Sequence, residues 1–157
     1  MKINYWYRKI TADSEDYSPL SDAMAYFEDQ LEEARDQMEL SGNLEKAIKN
    51  LPGEMDNRFS QLQEIEAILE YMNIKYLKIL RERYRFYMER YNRELSSRDA
   101  EKYAEGDAEV IKVSLLKNEV ALIRNQYLSI IKGLEQKSFC VSNVAKLRCA
   151  GLDDINI

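Results

Sequence analysis

The sequence predicts an all-α protein built around a long helical hairpin, with additional N-terminal and short C-terminal helices. Only 5 of its 157 residues are Gly and only 2 are Pro, which favours long helices over a turn-rich sheet protein. Hydrophobic residues make up 45% of the chain and charged residues 32%, so it can bury a core beneath a charged surface. We expect residues 1–18 to form an N-terminal arm and linker, and residues 19–157 to form a single helical domain.

The N-terminal segment alternates in character, which is typical of a short strand but equally fits an arm docked on another chain. The alternating sets are Ile3, Tyr5 and Tyr7 against Asn4, Trp6 and Arg8. Residues 11–18 are polar and acidic and predict a linker. A first helix is predicted over residues 19–40, because Pro19 is tolerated in a first turn and Gly42 favours a C-cap. Its apolar residues recur every three or four positions: Met24, Phe27, Leu31, Ala34 and Met38.

Two helices are predicted between residues 44 and 95. The first, over residues 44–50, ends before Pro52 and Gly53, which both disfavour a helix interior. The second, over residues 54–95, has no Pro or Gly and would be about 60 Å long. One small domain cannot cover such a helix, so we expect part of it to pack on a second protomer. Its apolar side is formed by Leu62, Ile65, Leu69, Tyr76, Leu80, Tyr84, Tyr87 and Tyr91.

The C-terminal part is predicted to contain one long and one short helix. Residues 96–106 form a polar connection, and Asp107 then caps a helix over residues 108–136 that pairs with the preceding long helix. A last short helix, over residues 142–150, ends at Gly151. The apolar side of the longer helix is formed by Val110, Val113, Leu116, Val120, Ile123, Tyr127, Ile130 and Leu134.

The composition argues against an enzyme and against a bound metal or cofactor. The chain has no His, the commonest general base and metal ligand, and it lacks the GxxxxGK[ST], GxGxxG and GxSxG motifs. We expect Cys140 and Cys149 to be small packing residues rather than a redox or metal pair. No apolar run is long enough to span a membrane and no signal peptide is evident, so we expect a cytoplasmic setting.

Charge is distributed unevenly along the chain. The formal net charge is −5, which by itself argues against a nucleic-acid partner. Residues 1–57 carry 6 Lys/Arg and 13 Asp/Glu, a balance of −7. Residues 75–98, by contrast, carry 8 Lys/Arg and 3 Asp/Glu, a balance of +5. Affinity for phosphate depends on the local field, so this basic segment is the most informative part of the sequence.

The basic segment is also rich in aromatic residues, a combination that suits single-stranded nucleic acid. Guanidinium and ammonium groups hold phosphates, and aromatic rings offer stacking surfaces for bases. The candidate DNA-binding residues are Lys75, Lys78, Arg81, Arg83, Arg85, Tyr87 and Arg90. The alternative is that the cations form a solvated face paired with neighbouring Glu residues, and that the tyrosines form a core or interface. In that case the protein is an oligomeric helical adaptor or structural protein that binds other proteins and no DNA.

Three segments of the sequence share their order and spacing with the motifs of one protein family. Arg81-x-Arg83-x-x-Phe86-Tyr87 comes first, Gly106–Val113 follows, and Lys137–Asn143 closes the series together with Arg148 and Gly151. They resemble the Lys-x-Arg-x-x-Tyr-Tyr, A-D-x-D-V-x-K-V and R-x-F-x-I-K-N…R…G segments of the UvsY-type recombination mediator proteins of tailed phages. The resemblance covers roughly residues 75–151, about half of the chain.

The resemblance implies a small, helical, ring-forming homo-oligomer. Such proteins bind single-stranded DNA, displace a single-strand binding protein and help to load a RecA-like recombinase. The family's basic pair corresponds to Arg81 and Arg83, and a phage origin would place the protein in the host cytoplasm. The acidic N-terminal third could repel DNA from the wrong face, or bind the basic groove of a recombinase or single-strand binding protein.

Helical geometry separates the two arginines favoured by the resemblance. In an unbroken helix Arg81 and Arg83 point about 200° apart. Either the helix ends or distorts near them, or one of the two has a structural role.

Overall fold

The computed structural model describes residues 4–38 and 44–150. Within these ranges the chain forms five helices and no strand, which confirms the all-α prediction. The helices are α1 (Tyr5–Ala12), α2 (Ser18–Met38), α3 (Leu44–Glu89), α4 (Ser97–Glu105) and α5 (Ala108–Cys149). The predictions that concern Ile3, residues 39–42 and Gly151 lie outside the described residues.

The chain divides into two compact units. One unit contains both chain ends, up to Glu64 and from Ile123 onward, and we call it the terminal unit. The other is the continuous stretch Ile65–Leu122, which we call the central unit. The basic segment identified in the sequence therefore belongs entirely to the central unit.

Residues 5–12 form helix α1, so the expectation of a strand around Tyr5 and Tyr7 is wrong. The helix is stabilised from a distance, because Oε1 of Glu64 accepts hydrogen bonds from the backbone N–H groups of Trp6 at 2.6 Å and Tyr7 at 3.1 Å. These two donors have no partner within the first helical turn, and the carboxylate also suits the positive end of the helix. The Trp6 ring packs beside Tyr26 of α2, with the ring centroids 5.6 Å apart.

Helix α2 supplies the core of the terminal unit. It begins at Ser18, one residue before the predicted start, and its residues Phe27, Leu31 and Ala34 are buried as their spacing predicts. The ring of Phe27 meets Tyr127 of α5 edge to face, with the centroids 6.0 Å apart. The Tyr127 hydroxyl donates to the Phe27 carbonyl at 3.3 Å, and burial raises the pKa of this tyrosine above its ordinary value.

A buried polar cluster lies within the same unit. The Arg58 side chain is 0% exposed; its Nε donates to Gln37 Oε1 at 3.0 Å and its Nη1 to Gln30 Oε1 at 3.1 Å. Nη1 also donates to Gln61 Oε1 at 2.9 Å, and Nη2 lies 3.4 Å from a carboxylate oxygen of Glu33. The last contact has ion-pair distance without hydrogen-bond geometry, since Nη2 has no hydrogen-bond partner among the described residues. This network joins α2 to α3.

Helix α3 is continuous through Pro52 and Gly53, so the predicted break between residues 50 and 54 is wrong. Pro52 lacks an N–H, which leaves the carbonyl of Ile48 without its helical partner. Ile48, Pro52 and Gly53 are all exposed, so water can hydrate the Ile48 carbonyl. The neighbouring Leu51 is only 6% exposed, and its burial favours continuing the helix in register.

Helix α3 ends at Glu89 rather than near Leu95, and the predicted connection over residues 96–106 contains helix α4. Ser96 caps α4, because its Oγ accepts from the N–H of Asp99 at 3.2 Å while also donating to the Asp99 carboxylate. On the opposite side of α4, Ala100 and Ala104 are both 0% exposed. The connection is therefore a capped helix that buries small residues.

Helix α5 continues without a break to Cys149, so the predicted interruption between residues 136 and 142 is wrong. Val141 is only 5% exposed, and its burial extends the apolar side of the helix through the expected gap. The predicted start is confirmed, since Asp107 Oδ1 accepts from the N–H of Glu109 at 3.0 Å. Cys140 and Cys149 are both exposed, so the prediction that they pack as small apolar residues is also wrong.

Helices α3 and α5 run antiparallel within the central unit. Arg83 of α3 pairs with Glu109 near the start of α5, and the ammonium of Lys117 lies 4.4 Å from the ring centroid of Tyr76. Residues later in α5 thus meet residues earlier in α3. In this unit the hairpin predicted from the sequence is present.

Candidate nucleic-acid interface

One face of α3 in the central unit carries three exposed cations. Lys78, Arg81 and Arg85 are spaced three and four residues apart, which places them on one side of a regular helix. At about 100° per residue, this side lies opposite Met72 and Ile79, which are buried. We call Lys78, Arg81 and Arg85 the basic stripe.

The basic stripe is only weakly neutralised along its own helix. The Lys78 ammonium lies 4.0 Å from a carboxylate oxygen of Glu82, and the two side chains are 70% and 60% exposed. Such an exposed pair is worth only about 0.3–0.5 kcal/mol, so a phosphate can displace it at little cost. Arg81 and Arg85 form no ion pair with any residue in the described part of the chain.

Carboxylates of α4 approach one side of the stripe. Arg81 shares a shallow depression with Glu101 and Glu105, both of which are exposed. They lower the positive potential beside Arg81 without forming an ion pair with it. Arg85 is also exposed and does not line that depression.

Arg83 is held in an ion-pair cluster at the start of α5. Its Nη2 contacts Oε2 of Glu109, and its Nε lies 3.5 Å from Oδ1 of Asp107. The hydrogen bond with Glu109 is the main reason that the pKa of Arg83 is raised above its ordinary value. Because α3 remains helical as far as Glu89, Arg81 and Arg83 do point away from each other. Arg83 is therefore the arginine of this pair that makes structural contacts, with Asp107 and Glu109.

Tyr87 likewise makes its polar contact within the protein. Its hydroxyl donates to Oδ2 of Asp107 at 3.2 Å, which adds a second α3 residue to the cluster around that carboxylate. Desolvation, followed by this hydrogen bond, raises the pKa of Tyr87 above its ordinary value. The nearby Tyr84 hydroxyl lies 2.8 Å from Oγ of Ser97, so both tyrosines contribute to packing.

The remaining two predicted residues flank the basic stripe. Lys75 is half-buried on α3 and lies one turn before Lys78, rotated by about 60°. Arg90 lies just beyond the end of α3, where it is exposed and its N–H donates to the Phe86 carbonyl at 2.9 Å. The structure thus brings Lys78, Arg81 and Arg85 together and directs Arg83 and Tyr87 elsewhere.

A cluster of aromatic rings at the end of α3 includes a residue that the sequence analysis did not single out. Tyr87, Tyr91 and Tyr103 meet one another with ring centroids 5.4 to 5.9 Å apart, and Phe86 lies 5.3 Å from Tyr87. Tyr103 lies on α4. The spacing of Ala100, Tyr103 and Ala104 is that of one side of a helix, and this signal was present in the sequence.

The chain matches no protein-family model, no curated protein and no solved structure at a significant level. The resemblance to the phage mediator family therefore rests on the three sequence segments alone. In the described ranges, no helix is both long enough and apolar enough to cross a membrane.

Proposed function

We propose that this protein binds single-stranded DNA without sequence preference and acts as a recombination mediator. In that role it would help to load a RecA-like recombinase in place of a single-strand binding protein. The observation that carries the proposal is the basic stripe, in which Lys78, Arg81 and Arg85 lie on the side of α3 opposite the core. The ordered resemblance of three segments to the mediator family supports the more specific role.

The chemistry of the stripe suits a sugar-phosphate backbone. A guanidinium group can donate two parallel hydrogen bonds to a phosphate, and the unpaired Arg81 and Arg85 can do so without losing an existing partner. Contacts to phosphate carry no sequence information, so binding through the stripe is independent of sequence. Lys75 and Arg90 would add contacts at its two ends.

The overall charge predicts that one copy alone binds modestly. The central unit carries 11 Lys/Arg and 11 Asp/Glu, a balance of zero, and the terminal unit carries 12 and 17, a balance of −5. Only the local stripe therefore attracts DNA. Repeating it in a homo-oligomer would raise the affinity by about a hundredfold or more through avidity.

Replacing Lys78, Arg81 and Arg85 together by Ala is expected to weaken binding of a thymidine oligonucleotide at low salt. About three phosphate contacts would be lost, so the slope of log K against log salt should flatten by about 2. Fluorescence anisotropy titrations at several salt concentrations would measure both quantities. The charge-matched control replaces Arg35, Lys49 and Lys132, which are exposed cations of the terminal unit.

Two outcomes would contradict the proposal. In the first, the unaltered protein fails to bind the oligonucleotide even at low salt. In the second, the control variant loses as much affinity as the stripe variant, which would mean that net charge and not the stripe governs binding.

Self-association is part of the proposal and has its own candidate surface. Ile111, Leu115 and Leu122 lie on one side of α5 and are 45%, 59% and 63% exposed. This side is opposite Val113 and Val120, which are buried. A row of exposed apolar side chains opposite the core is typical of a helix that packs on a partner.

Light scattering is expected to give a mass well above the 18.5 kDa of one chain. Replacing Leu115 and Leu122 by Glu should shift that mass toward the monomer, because charged groups would be placed in an apolar contact. Phe139→Glu is the control, since Phe139 is equally exposed, at 63%, but lies in the terminal unit. A monomeric unaltered protein would contradict the oligomer.

The same apolar row favours a second candidate function, an oligomeric helical adaptor that binds other proteins and no DNA. The two functions differ in the oligonucleotide titration. An oligomer that fails to bind DNA at low salt would support the adaptor.

A further inference from the structure

The aromatic cluster at the end of α3 contains two tyrosines, Tyr91 and Tyr103, that contact neighbouring rings and are also exposed to solvent. The ring of Tyr103 is held 5.6 Å from Tyr87 and 5.9 Å from Tyr91, measured between centroids. Nevertheless Tyr91 is 40% exposed and Tyr103 is 50% exposed. These two rings are held by neighbouring rings and remain partly open to solvent.

Polar contacts of Tyr87 and the buried seating of α4 fix the orientation of the aromatic cluster. The Tyr87 hydroxyl donates to Asp107, whose carboxylate is already paired with Arg83. Tyr103 is carried by α4, which is capped at Ser96 and seated through Ala100, which is 0% exposed. Binding a ligand on these rings would require little ordering of side chains, which lowers its entropic cost.

The surroundings of the two rings are polar and carry unpaired cations. Lys102 lines a shallow depression together with Tyr87, Tyr103 and Gly106. Lys102, Arg90 and Arg93 are exposed and form no ion pair within the described ranges. The exposed carboxylates nearby in the sequence are those of Glu89 and Glu94 and, on α4 itself, those of Asp99, Glu101 and Glu105.

We infer that Tyr91 and Tyr103 form a stacking platform for the unpaired bases of single-stranded DNA, with Lys102 and Arg90 contacting the adjoining phosphates. Every base has a π-face, so such a platform is tolerant of sequence but requires that bases be present and unpaired. The inference rests on the proposed function and adds to it a second kind of contact. The basic stripe holds phosphates only, whereas the platform selects single strands over duplex DNA.

The test compares two oligonucleotides with the same number of phosphates, one of thymidine and one entirely of abasic sites. The full-length variant Y91L/Y103L should lose at least about tenfold in affinity for the thymidine strand, the effect of about one lost stacking contact. It should bind the abasic strand as the unaltered protein does. Y5L is the matched control, because Tyr5 is similarly exposed, at 44%, but lies in the terminal unit.

Each alternative result is informative. An equal loss on both strands, or no loss on either, would overturn the platform while leaving the phosphate stripe intact. Failure of the unaltered protein to bind either strand would instead overturn the proposed function, and the platform with it. Y91F/Y103F, which keeps the rings and removes only the hydroxyls, should bind the thymidine strand almost normally.

A second measurement needs no variant, so it stands even if Y91L/Y103L fails to fold. Irradiating the unaltered protein with an oligonucleotide containing 5-iodouracil forms covalent bonds preferentially to aromatic rings stacked on the base. Mass spectrometry should find the adduct on Tyr91 or Tyr103. Adducts found only on other residues would overturn the platform.

Discussion

Replacing Arg58 by Ala is expected to lower the free energy of unfolding by about 3–5 kcal/mol. The Arg58 side chain is fully buried and donates to the amide oxygens of Gln30, Gln37 and Gln61. Its removal would take the Arg58 donor away from the oxygens of Gln37 and Gln61 and would open a cavity between α2 and α3, whereas the Gln30 oxygen keeps the hydrogen bond from Gln61 Nε2 at 3.0 Å. Chemical denaturation followed by circular dichroism would measure the change.

Two companion variants separate the causes of that loss. Arg58→Met fills much of the volume but supplies no donor, so it should still cost about 1–3 kcal/mol. Arg35→Ala removes an exposed cation from α2 and should change stability by no more than about 0.5 kcal/mol. A loss of less than about 1 kcal/mol for Arg58→Ala would contradict the buried network.

Replacing Glu64 by Ala is expected to release α1 from the terminal unit and to cost about 2–3 kcal/mol. The Glu64 side chain is almost fully buried and accepts the backbone N–H groups of Trp6 and Tyr7. Without it, two donors of the first turn lose their partner and the helix end loses a compensating charge. Trp6 is the only tryptophan in the chain, so its emission reports directly on α1.

The emission of Trp6 should shift to longer wavelength as the ring leaves Tyr26 and meets water. Glu64→Gln keeps an amide oxygen that can accept the same hydrogen bonds more weakly, so its shift should be smaller. Glu70→Ala, which removes an exposed carboxylate from the same helix, should leave the emission unchanged. An unchanged spectrum for Glu64→Ala would show that α1 is held by other contacts.

Helical periodicity predicted the core well on α2 and α5 but poorly on α3, where only Leu62 and Ile65 of the eight residues predicted for its apolar side are buried. Val110, Val113 and Val120 of α5 are buried where the spacing places them, as is Tyr127 further along. Periodicity succeeds there because one side of a helix faces the core over many turns. It failed to place the ends of helices: α3 continues through Pro52, where a break was predicted, and α4 begins at the cap formed by Ser96.

The N-terminal helix shows why some elements cannot be predicted from local sequence. The alternation around Trp6 fits a strand, and the group that stabilises the helix, Glu64, lies 58 residues away from Trp6. Helix α4, in contrast, has a local signal in Ser96 and Asp99, which form a cap. The polar composition of residues 96–106 predicts a connection, but this local cap starts a helix there.

Part of the candidate site was predictable, because spacing along a single helix determines which residues share a face. The spacing of Lys78, Arg81 and Arg85 places them on one face from sequence alone. The contacts of Arg83 with Asp107 and Glu109 depend on how α3 and α5 pair, which spacing within one helix does not encode. The meeting of Tyr91 and Tyr103 likewise depends on the placement of α4.

The two exposed cysteines have a consequence for the redox handling of this protein. Cys140 and Cys149 are nine positions apart on one helix, so they point to opposite sides and their Cα atoms are about 13.5 Å apart. A disulfide needs Cα atoms within about 7 Å, so these thiols cannot bridge within one chain while α5 is intact. Air oxidation would therefore link neighbouring copies covalently from both sides of the helix. A reductant must accompany any measurement of mass, because such polymers would otherwise imitate reversible assembly.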